Sequence, residues 1–388
     1  MVEALSRKDR FLYTFERKKV DHLAFSPRLY YWYGKNKSYL KPGRFRKRGQ
    51  PACETEIPKQ YLGKTQMEIY DLLGATPRYV WETMSIPLTS FTLIPNPLKV
   101  RPWFHKQENG APVFTLKTKL GKLTQVNNPP GGGLGGFPAE YWVKTLDDLQ
   151  IMKYILSNAH FYVFSPFVRY AHWKLGNRGV VSGFTLRSPY QRCILEIMGF
   201  HKTITFLKRN PTEMEDFFAF LEEKDDEVYR KLARSSIKIL NFGENIDAGL
   251  TPPRLFEKYC MPYYERRVKE LHEAGKFCHI HMDGMLKDLL PFLDQLPFDG
   301  LEAMTPAPAG DVTIEELKNA MGDKILLDGI PSTLFLPQYS FDAVREFTQK
   351  VLNTFSPNLI LGVSDELPPN GDIRKVELIV QMVEKFNP

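Results

Sequence analysis

Short apolar runs alternate with helix-like segments through the C-terminal part of the chain. The runs occupy residues 179–185, 237–242, 277–282, 300–304, 324–327 and 359–363, and amphipathic stretches such as 253–274, 313–320 and 341–355 lie between them. Strands and helices in this rhythm indicate parallel βαβ units. With further candidate strands at 22–27 and near Val80, the strands number about eight, which favours a closed (β/α)8 TIM barrel over an open sheet.

The N-terminal part has a different pattern. Residues 6–16 have the spacing of an amphipathic helix. Between residues 100 and 127 apolar and polar positions alternate, which predicts an inserted β-hairpin. We therefore expect a single barrel domain over residues 1–388, in which residues 1–75 form a helical extension and the first strand.

A glycine-rich run at residues 129–136 (PPGGGLGG) is predicted to be a loop. A phosphate-binding loop would need a strand before the glycines and a helix after them. Prolines flank this run on both sides, so dinucleotide binding is not expected. A lid over the site and an inert connector are both open for this loop.

Composition and charge narrow the class of protein. Of the 388 residues, 43% are hydrophobic, which is enough for a sizeable core. The net charge of +7 is concentrated in residues 35–48 (KNKSYLKPGRFRKR), which we interpret as a solvated loop or a docking face for an acidic protein. No motif that would recognise bases accompanies it, so nucleic acid is not expected as a partner.

Cysteine usage and the N-terminus indicate the compartment. The four cysteines show no CxxC spacing and are expected to be reduced thiols. The chain starts with a polar, charged segment unlike a secretory signal, and no apolar run approaches the roughly 20 residues of a membrane span. We expect a cytoplasmic protein that does not enter a membrane.

Polar side chains occur at or near the ends of several predicted strands. His281 and Asp283 lie two positions apart at the end of one run and at its exit, and Glu244, Glu302 and Asp365 lie at or near the ends of three others. The carboxyl ends of parallel strands meet at one end of a barrel, where α/β enzymes keep their active sites. Imidazole and carboxylates are ligands of catalytic zinc. We therefore predict a metal site of His281, Glu244, Glu302 and Asp365, with catalytic roles for Glu244, His281 and Asp283.

Each of these residues also has a simpler interpretation. His281 could be a buried barrel histidine, and His279, which has the same parity on the strand, is expected to be structural. Asp247 and Asp283 could cap the helices that follow them. Glu302 is harder to explain in this way, because it lies within an apolar run where an unpaired charge is costly.

Several sequence motifs stand out along the chain. They are the hairpin at 113–126 followed by 143–149 (VKTLDDL), then 271–284 (LHEAGKFCHIHMDG), 321–329 (MGDKILLDG) and 364–369 (SDELPP). Together these motifs resemble those of the uroporphyrinogen decarboxylase superfamily, in particular its cobalamin-dependent methyltransferase branch of the O-demethylase methyltransferase I type. The resemblance implies a (β/α)8 barrel.

The chain departs from both kinds of relative in this superfamily. True decarboxylases carry Arg-Gln-Ala-Gly-Arg for the porphyrinogen carboxylates, whereas residues 25–33 here are FSPRLYYWY and only Arg28 corresponds. Thiol-methylating members bind zinc through His-x-Cys-Gly and a later Cys, which match His281, Asp283 and Asp365 here. Oxygen ligands would leave zinc a stronger Lewis acid, suited to polarising an ether oxygen.

The resemblance therefore implies a zinc-assisted, corrinoid-dependent methyltransferase. It would move a methyl group from a methoxylated aromatic compound to the cobalt(I) of a cobalamin (corrinoid) on a separate carrier protein, which docks at the barrel mouth, with the basic loop as a candidate docking face. The expected substrate-binding residues are Arg28, Tyr30, Tyr31, Trp32 and Arg187, although a core role for at least one of the three aromatics is equally open.

Other functions remain open. One is a metal-free lyase of the decarboxylase type, which would bind a smaller carboxylic acid through Arg28 and Arg187. Another is a methyltransferase with a different methyl donor or a thiol acceptor. The last is a corrinoid- or porphyrin-binding protein without catalytic activity.

Overall fold

A parallel sheet of seven strands forms the centre of the computed structural model, which describes residues 4–42, 50–79, 90–129 and 138–388. In sheet order the strands are β1 (Ala24–Phe25), β13 (Leu359–Ser364), β12 (Ile325–Pro331), β11 (Gly300–Glu302), β10 (Phe277–Met282), β9 (Ile239–Ile246) and β8 (Ser182–Phe184). Every pair of neighbours is parallel. The predicted α/β barrel architecture is confirmed as a curled parallel sheet with helices around it.

Helices follow most of these strands. They are α1 (Arg7–Phe15), α2 (Tyr30–Leu40), α3 (Gln66–Leu72), α4 (Asp147–Ser157), α5 (Ser165–Leu175), α6 (Pro189–Arg192), α7 (Phe200–Arg209), α8 (Pro211–Arg234), α9 (Pro253–Leu255), α10 (Met261–Glu273), α11 (Leu290–Leu293), α12 (Ile314–Ala320), α13 (Phe341–Phe355) and α14 (Ile373–Lys385). Helices α6 and α9 each continue as a π-helical turn, Cys193–Ile197 and Phe256–Cys260. Among the residues described, no helix combines the length and hydrophobicity that a bilayer crossing requires.

The two ends of the sheet, β1 and β8, are flanked by the residues on either side of the gap at 80–89. The amide of Thr76 donates to the carbonyl of Phe25 on β1 at 2.8 Å. On the other side, the amide of Phe184 on β8 donates to Oγ of Ser90 at 2.5 Å. The strand predicted near Val80 lies outside the described residues.

The strands read as apolar runs because both faces of the sheet are covered. All seven residues of β12 and all six of β13 are buried. Helix α13 shows how the outer layer forms. Ser340 caps its N-terminus by accepting from the amide of Ala343, and the helix buries Val344, Val351 and Phe355.

The alternating segment forms a separate antiparallel sheet in the order β3 (Arg101–Lys106), β4 (Pro112–Thr118), β5 (Gly121–Asn127) and β6 (Pro138–Glu140). The predicted hairpin is confirmed as β4 and β5, with Thr118 opposite Gly121 at the turn. Two further strands, β2 (Thr92–Pro95) and β7 (Ala159–Tyr162), pair with each other. The glycines at 131–136 and residues 43–48 of the basic segment lie outside the described residues. Residues 35–40 of that segment, predicted to be a loop, belong to helix α2.

Candidate active site

A cavity of about 440 Å³ opens at the carboxyl ends of the strands. His281 reaches it from β10, Gly243 and Asn245 from β9, and Asp365 from the end of β13. Further lining residues are Arg28, Tyr31, Phe91, Phe184, Thr185, Leu186, Arg187 and Glu196. The structure therefore brings together His281, Asp365, Arg28, Tyr31 and Arg187 of the predicted site residues.

Beneath the cavity, Glu302 forms the centre of a buried polar network. Strand pairing places His281 directly beside Glu302, because these two residues are partners in the register of β10 and β11. One carboxylate oxygen of Glu302 accepts from Arg78 Nη1 and from the Tyr79 hydroxyl, both at 2.7 Å. The other accepts from Asn241 Nδ2 at 2.7 Å and contacts His281 Nδ1 at 2.8 Å.

His281 is protonated in this setting. Burial alone would lower its pKa, but the hydrogen bond with Glu302 and the negative charges of Asp365, Glu302 and Asp283 raise the pKa to about 9. Nδ1 donates to Glu302, so the remaining N–H of the imidazolium is at Nε2, 3.6 Å from Asp365 Oδ1. His281 thus presents a charged proton donor at the cavity wall.

The second histidine of β10 behaves differently, as the sequence predicted. His279 is fully buried, and neither ring nitrogen has a hydrogen-bond partner among the described residues. Burial lowers its pKa to about 4, so the ring is neutral. Burial alone would raise the pKa of Glu302, yet this pKa is strongly lowered. Because the ring of His279 is neutral and carries no charge, we attribute the lowering to His281 and Arg78.

Arg78 and Asp328 complete the network, and neither residue was predicted from the sequence as a member of the site. The guanidinium of Arg78 bridges Glu302 and Asp328, with Nη2 donating to Asp328 Oδ1 at 2.8 Å and to the carbonyl of Ser26 at 3.0 Å. Arg78, Glu302 and Asp328 are at most 1% exposed. An arginine among apolar and aromatic neighbours was the available signal, because a buried charge needs a partner.

Arg28 connects the cavity to the C-terminal strand. Its guanidinium pairs with Asp365 and, at 2.9 Å, with Glu366. It also lies over the ring of Tyr79, 5.4 Å from the centroid. Across the cavity, Arg187 pairs with Glu196 at 2.5 Å and donates to Asn245 Oδ1 at 3.1 Å. Both predicted substrate-binding arginines therefore already have carboxylate partners within the protein.

The structure corrects the prediction for Glu244. On β9, Asn241 reaches inward to Glu302 and Asn245 lines the cavity, whereas Glu244, which has the opposite parity, points towards α6. Its carboxylate accepts from the Ser188 amide at 2.6 Å and from Ser188 Oγ at 2.9 Å. Burial raises the pKa of Glu244 to about 7, against these two hydrogen bonds. Glu244 is therefore a buried structural residue that does not face the cavity.

The three consecutive aromatics have three different environments. Tyr31 lines the cavity. Tyr30 is 44% exposed and does not line it. Trp32 is fully buried, and its indole N–H donates to the carbonyl of Gly371 at 3.0 Å, so the prediction that it borders the substrate pocket is wrong for this residue. Because these residues begin α2, successive side chains point about 100° apart.

Asp283 and Asp247 lie beside the site but outside the cavity lining. Burial raises the pKa of Asp283, and the charges of Asp365 and Asp247 raise it further. Asp247 accepts from the amides of Gly249 and Met285, each at 2.8 Å, so the structure gives it a role in holding two loops. The predicted catalytic role of Asp283 stays a prediction.

The four predicted zinc ligands do not fit one metal centre in this arrangement. Glu244 points away from the cavity. Each oxygen of Glu302 already has two hydrogen-bond partners, and the cationic Arg78 is one of these four partners. Only His281 and Asp365 of the four line the cavity. Within the described ranges, no three His, Cys, Asp or Glu side chains are grouped so that they could hold a metal ion. We therefore derive no chemical step through a metal.

The fold is that of an α/β barrel protein, and a set of convergent polar side chains lies at the carboxyl ends of the strands, where such barrels keep their functional sites. The sequence profile of the uroporphyrinogen decarboxylase (URO-D) family matches residues 139–386. Since this match covers more than half of the chain, the protein belongs to that family. No curated protein sequence matches the chain.

Solved structures show a similar fold. A methyltransferase from Methanosarcina mazei superposes with a TM-score of 0.59 at 13% identity, over 99% of this chain and 100% of that chain. A B12-independent methionine synthase from Shewanella sp. W3-18-1 gives a TM-score of 0.45 at 11% identity, over 93% of this chain and 96% of that chain. The first of these similarities shows a shared fold, and the second is too low to support an argument.

Proposed function

We propose that this protein is a methyltransferase that removes the methyl group from a methoxylated aromatic compound. The acceptor would be the reduced, cobalt(I) corrinoid of a separate carrier protein, which acts as the second substrate. Membership in the URO-D family and the fold shared with a methyltransferase support the class. The observation that carries the proposal is the position of the His281 ring at the cavity wall, with Nδ1 held 2.8 Å from the buried carboxylate of Glu302.

The chemistry follows from the leaving group. An aryl ether reacts slowly with a nucleophile because phenolate leaves poorly, and protonation of the oxygen in the transition state lowers that barrier. The nucleophile would attack the methyl carbon, the carbon–oxygen bond would break, and the oxygen would receive the proton of His281 Nε2. Glu302 keeps His281 charged for this step. Solvent then returns a proton to the imidazole.

The aromatic part of the donor would lie against the rings of the cavity. Phe184 stacks on Tyr79 with ring centroids 4.5 Å apart, which fixes one wall, and Tyr31 and Phe91 contribute further rings. Aromatic pairs of this kind favour a flat ligand. The cavity volume of about 440 Å³ lies within the range of small-molecule sites.

Arg28 and Arg187 already pair with carboxylates of the protein, which favours this proposal over a lyase that acts on carboxylic acids. A substrate carboxylate would have to displace Asp365 or Glu366 from Arg28, or Glu196 from Arg187. A neutral methyl ether needs neither exchange. The same ion pairs are equally compatible with a protein that binds a methyl ether without turnover. The experiment below distinguishes such a protein from a methyltransferase.

The test is demethylation of methoxybenzenes with reduced cobalamin as acceptor. We expect methyl transfer by the unmodified protein and a loss of about 10²-fold to 10⁴-fold in His281→Gln, the range for a general acid. The loss should be largest for anisole and smallest for nitroanisole, whose phenolate leaves without help. His201→Gln, at an exposed histidine, is the matched control and should keep full activity.

Two results would contradict the proposal. One is the absence of methyl transfer to cobalamin under any condition. The other is a loss in His281→Gln that is the same for every leaving group, because a general acid matters most where the leaving group is poor. Zinc stays a prediction, and metal analysis of the purified protein together with chelation before the assay tests it.

A further inference from the structure

A second cavity of about 340 Å³ lies beside the first one. The two cavities share three lining residues, Phe91, Leu186 and Glu196. We call this second cavity the apolar annex. Its other lining residues are Leu93, Leu116, Trp142, Met152, Ile155, Leu156, Phe161, Arg192, Ile197 and Leu221.

The annex is formed between the inserted sheet and the helices of the barrel. Leu116 comes from β4 of the insertion, Met152 and Ile155 from α4, and Leu221 from α8. The annex thus depends on the insertion, whereas the polar cavity depends on the barrel strands. The two neighbouring cavities differ in chemistry because different parts of the chain line them.

The charged residues at the annex have partners elsewhere. Arg192 donates to Asp225 Oδ1 at 2.9 Å and also pairs with Oδ2, and both residues are buried. Glu196 is held by Arg187 at 2.5 Å. The walls therefore offer a ligand mainly apolar side chains. Apolar cavities of about 150 Å³ already bind benzene in other proteins, and this one is larger.

Resting on the function proposed above, we infer that the annex is a subsite for an apolar substituent of the methyl donor. The substrate class is then an aryl methyl ether with a neutral hydrophobic extension, such as an alkyl chain. With the methoxy group at His281, the ring would lie near the shared wall of Phe91 and Leu186, and the extension would enter the annex. A charged extension would lose its hydration there without a counter-charge.

The experiment measures binding without any acceptor, so that it does not depend on turnover. The probes are 4-methylanisole, 4-butylanisole and 4-heptylanisole, titrated calorimetrically into the full-length protein. Each added methylene should lower the Kd about three- to fourfold until the annex is filled. Between the methyl and butyl members this amounts to roughly 30-fold or more. The anion 4-(4-methoxyphenyl)butanoate, whose chain ends in a free carboxylate, should bind more weakly than 4-butylanisole.

A matched pair of variants locates the effect. Leu116→Trp places a larger ring in the annex and should abolish the gain with chain length, while 4-methylanisole binds as before. Leu120→Trp makes the same change at a 52%-exposed position of the same hairpin, outside the annex, and should keep the gain.

The possible outcomes separate this inference from the proposed function. Equal affinity for all three anisoles, or a length dependence that Leu116→Trp leaves intact, would overturn the annex as a subsite. Length-dependent binding that Leu116→Trp abolishes would support the subsite, even if cobalamin were never methylated. The absence of cobalamin methylation would overturn the methyltransferase proposal alone.

Discussion

Replacing Glu302 with Gln tests the electrostatic argument at the centre of the site. The carboxylate accepts from four groups, two at each oxygen. In the Gln side chain one acceptor oxygen remains, and an NH₂ group replaces the other oxygen. That NH₂ group would face the two donors that the lost oxygen had accepted from. If the amide nitrogen faces His281, the imidazole loses its hydrogen-bond acceptor, and if it faces Arg78, the guanidinium loses one of its two carboxylate partners.

The magnitude follows from the pKa of His281. Its pKa is raised in the fold, from 6.5 to about 9. At about 1.4 kcal/mol per pKa unit, this corresponds to about 3 kcal/mol of stabilisation of the imidazolium. Because the folded pKa is the higher one, this stabilisation is fully present below pH 6.5 and is lost as the pH rises through 9. Breaking one side of a buried ion pair costs about 3 to 5 kcal/mol, which agrees in size.

The assay is an NMR titration of His281, combined with urea unfolding at pH 6 and pH 9.5. In Glu302→Gln the pKa of His281 should fall to 6.5 or below, because burial then acts with less opposition. The free energy of unfolding should fall by about 3 to 5 kcal/mol at pH 6 and by less at pH 9.5. Asp365→Asn is the control, since Asp365 lies 3.6 Å from Nε2 and is 35% exposed, and it should lower the pKa less. A His281 pKa that stays near 9 in Glu302→Gln would show that Glu302 does not hold the imidazole in its charged form.

Three further predictions concern the same part of the molecule. Glu244→Gln should leave methyl transfer unchanged and should stabilise the protein more at pH 8 than at pH 5. The pKa of Glu244 is raised from 4.5 to about 7 in the fold, so the stability that the protonated carboxyl group contributes is present below pH 4.5 and is lost as the pH rises through 7. Urea unfolding and the methyl-transfer assay at both pH values check this. Trp32→Ala should cost about 3 to 5 kcal/mol in unfolding free energy, whereas Tyr30→Ala should stay within about 0.5 kcal/mol, and equal costs would contradict the assignment of Trp32 to the core. Gly362→Ala should lower the melting temperature and the pKa of His281 together, because a Cβ there would lie 2.5 Å from Asp328 Oδ1 and 2.8 Å from the carbonyl of Ser26. A thermal scan and the NMR titration measure the two values, and the prediction is contradicted if neither value changes.

The sequence predicted the barrel class well because its strands are buried on both faces. Apart from Asp328 and Ser364, strands β12 and β13 consist of apolar residues, glycine and proline, and their rhythm with the helices indicates a parallel sheet. Helix α2 was harder to predict from the sequence, because aromatic residues lie on several of its sides and only Trp32, Asn36 and Leu40 of the helix are buried. The π-helical turns after α6 and α9 leave no comparable signal in the residue pattern.

The site was predicted in part. The convergence of His281 and Asp365 followed from strand ends, and Glu302 was found because a charge within an apolar run needs partners. The error at Glu244 arose from treating it as the end of a strand. The strand runs from Ile239 to Ile246, and parity along it would have shown that Asn241 points inward and Glu244 does not. Arg78 was missed because its partners, Glu302 and Asp328, are remote in sequence.

That remoteness has a consequence for synthesis in the cell. Arg78 is separated from Glu302 by 224 positions and from Asp328 by 250. At about 5 to 20 residues per second, a ribosome needs on the order of 10 to 50 s to cover that interval. During this time the nascent chain carries the arginine without either of its final counter-ions, so the interior of the barrel can be completed only after most of the polypeptide has left the ribosome.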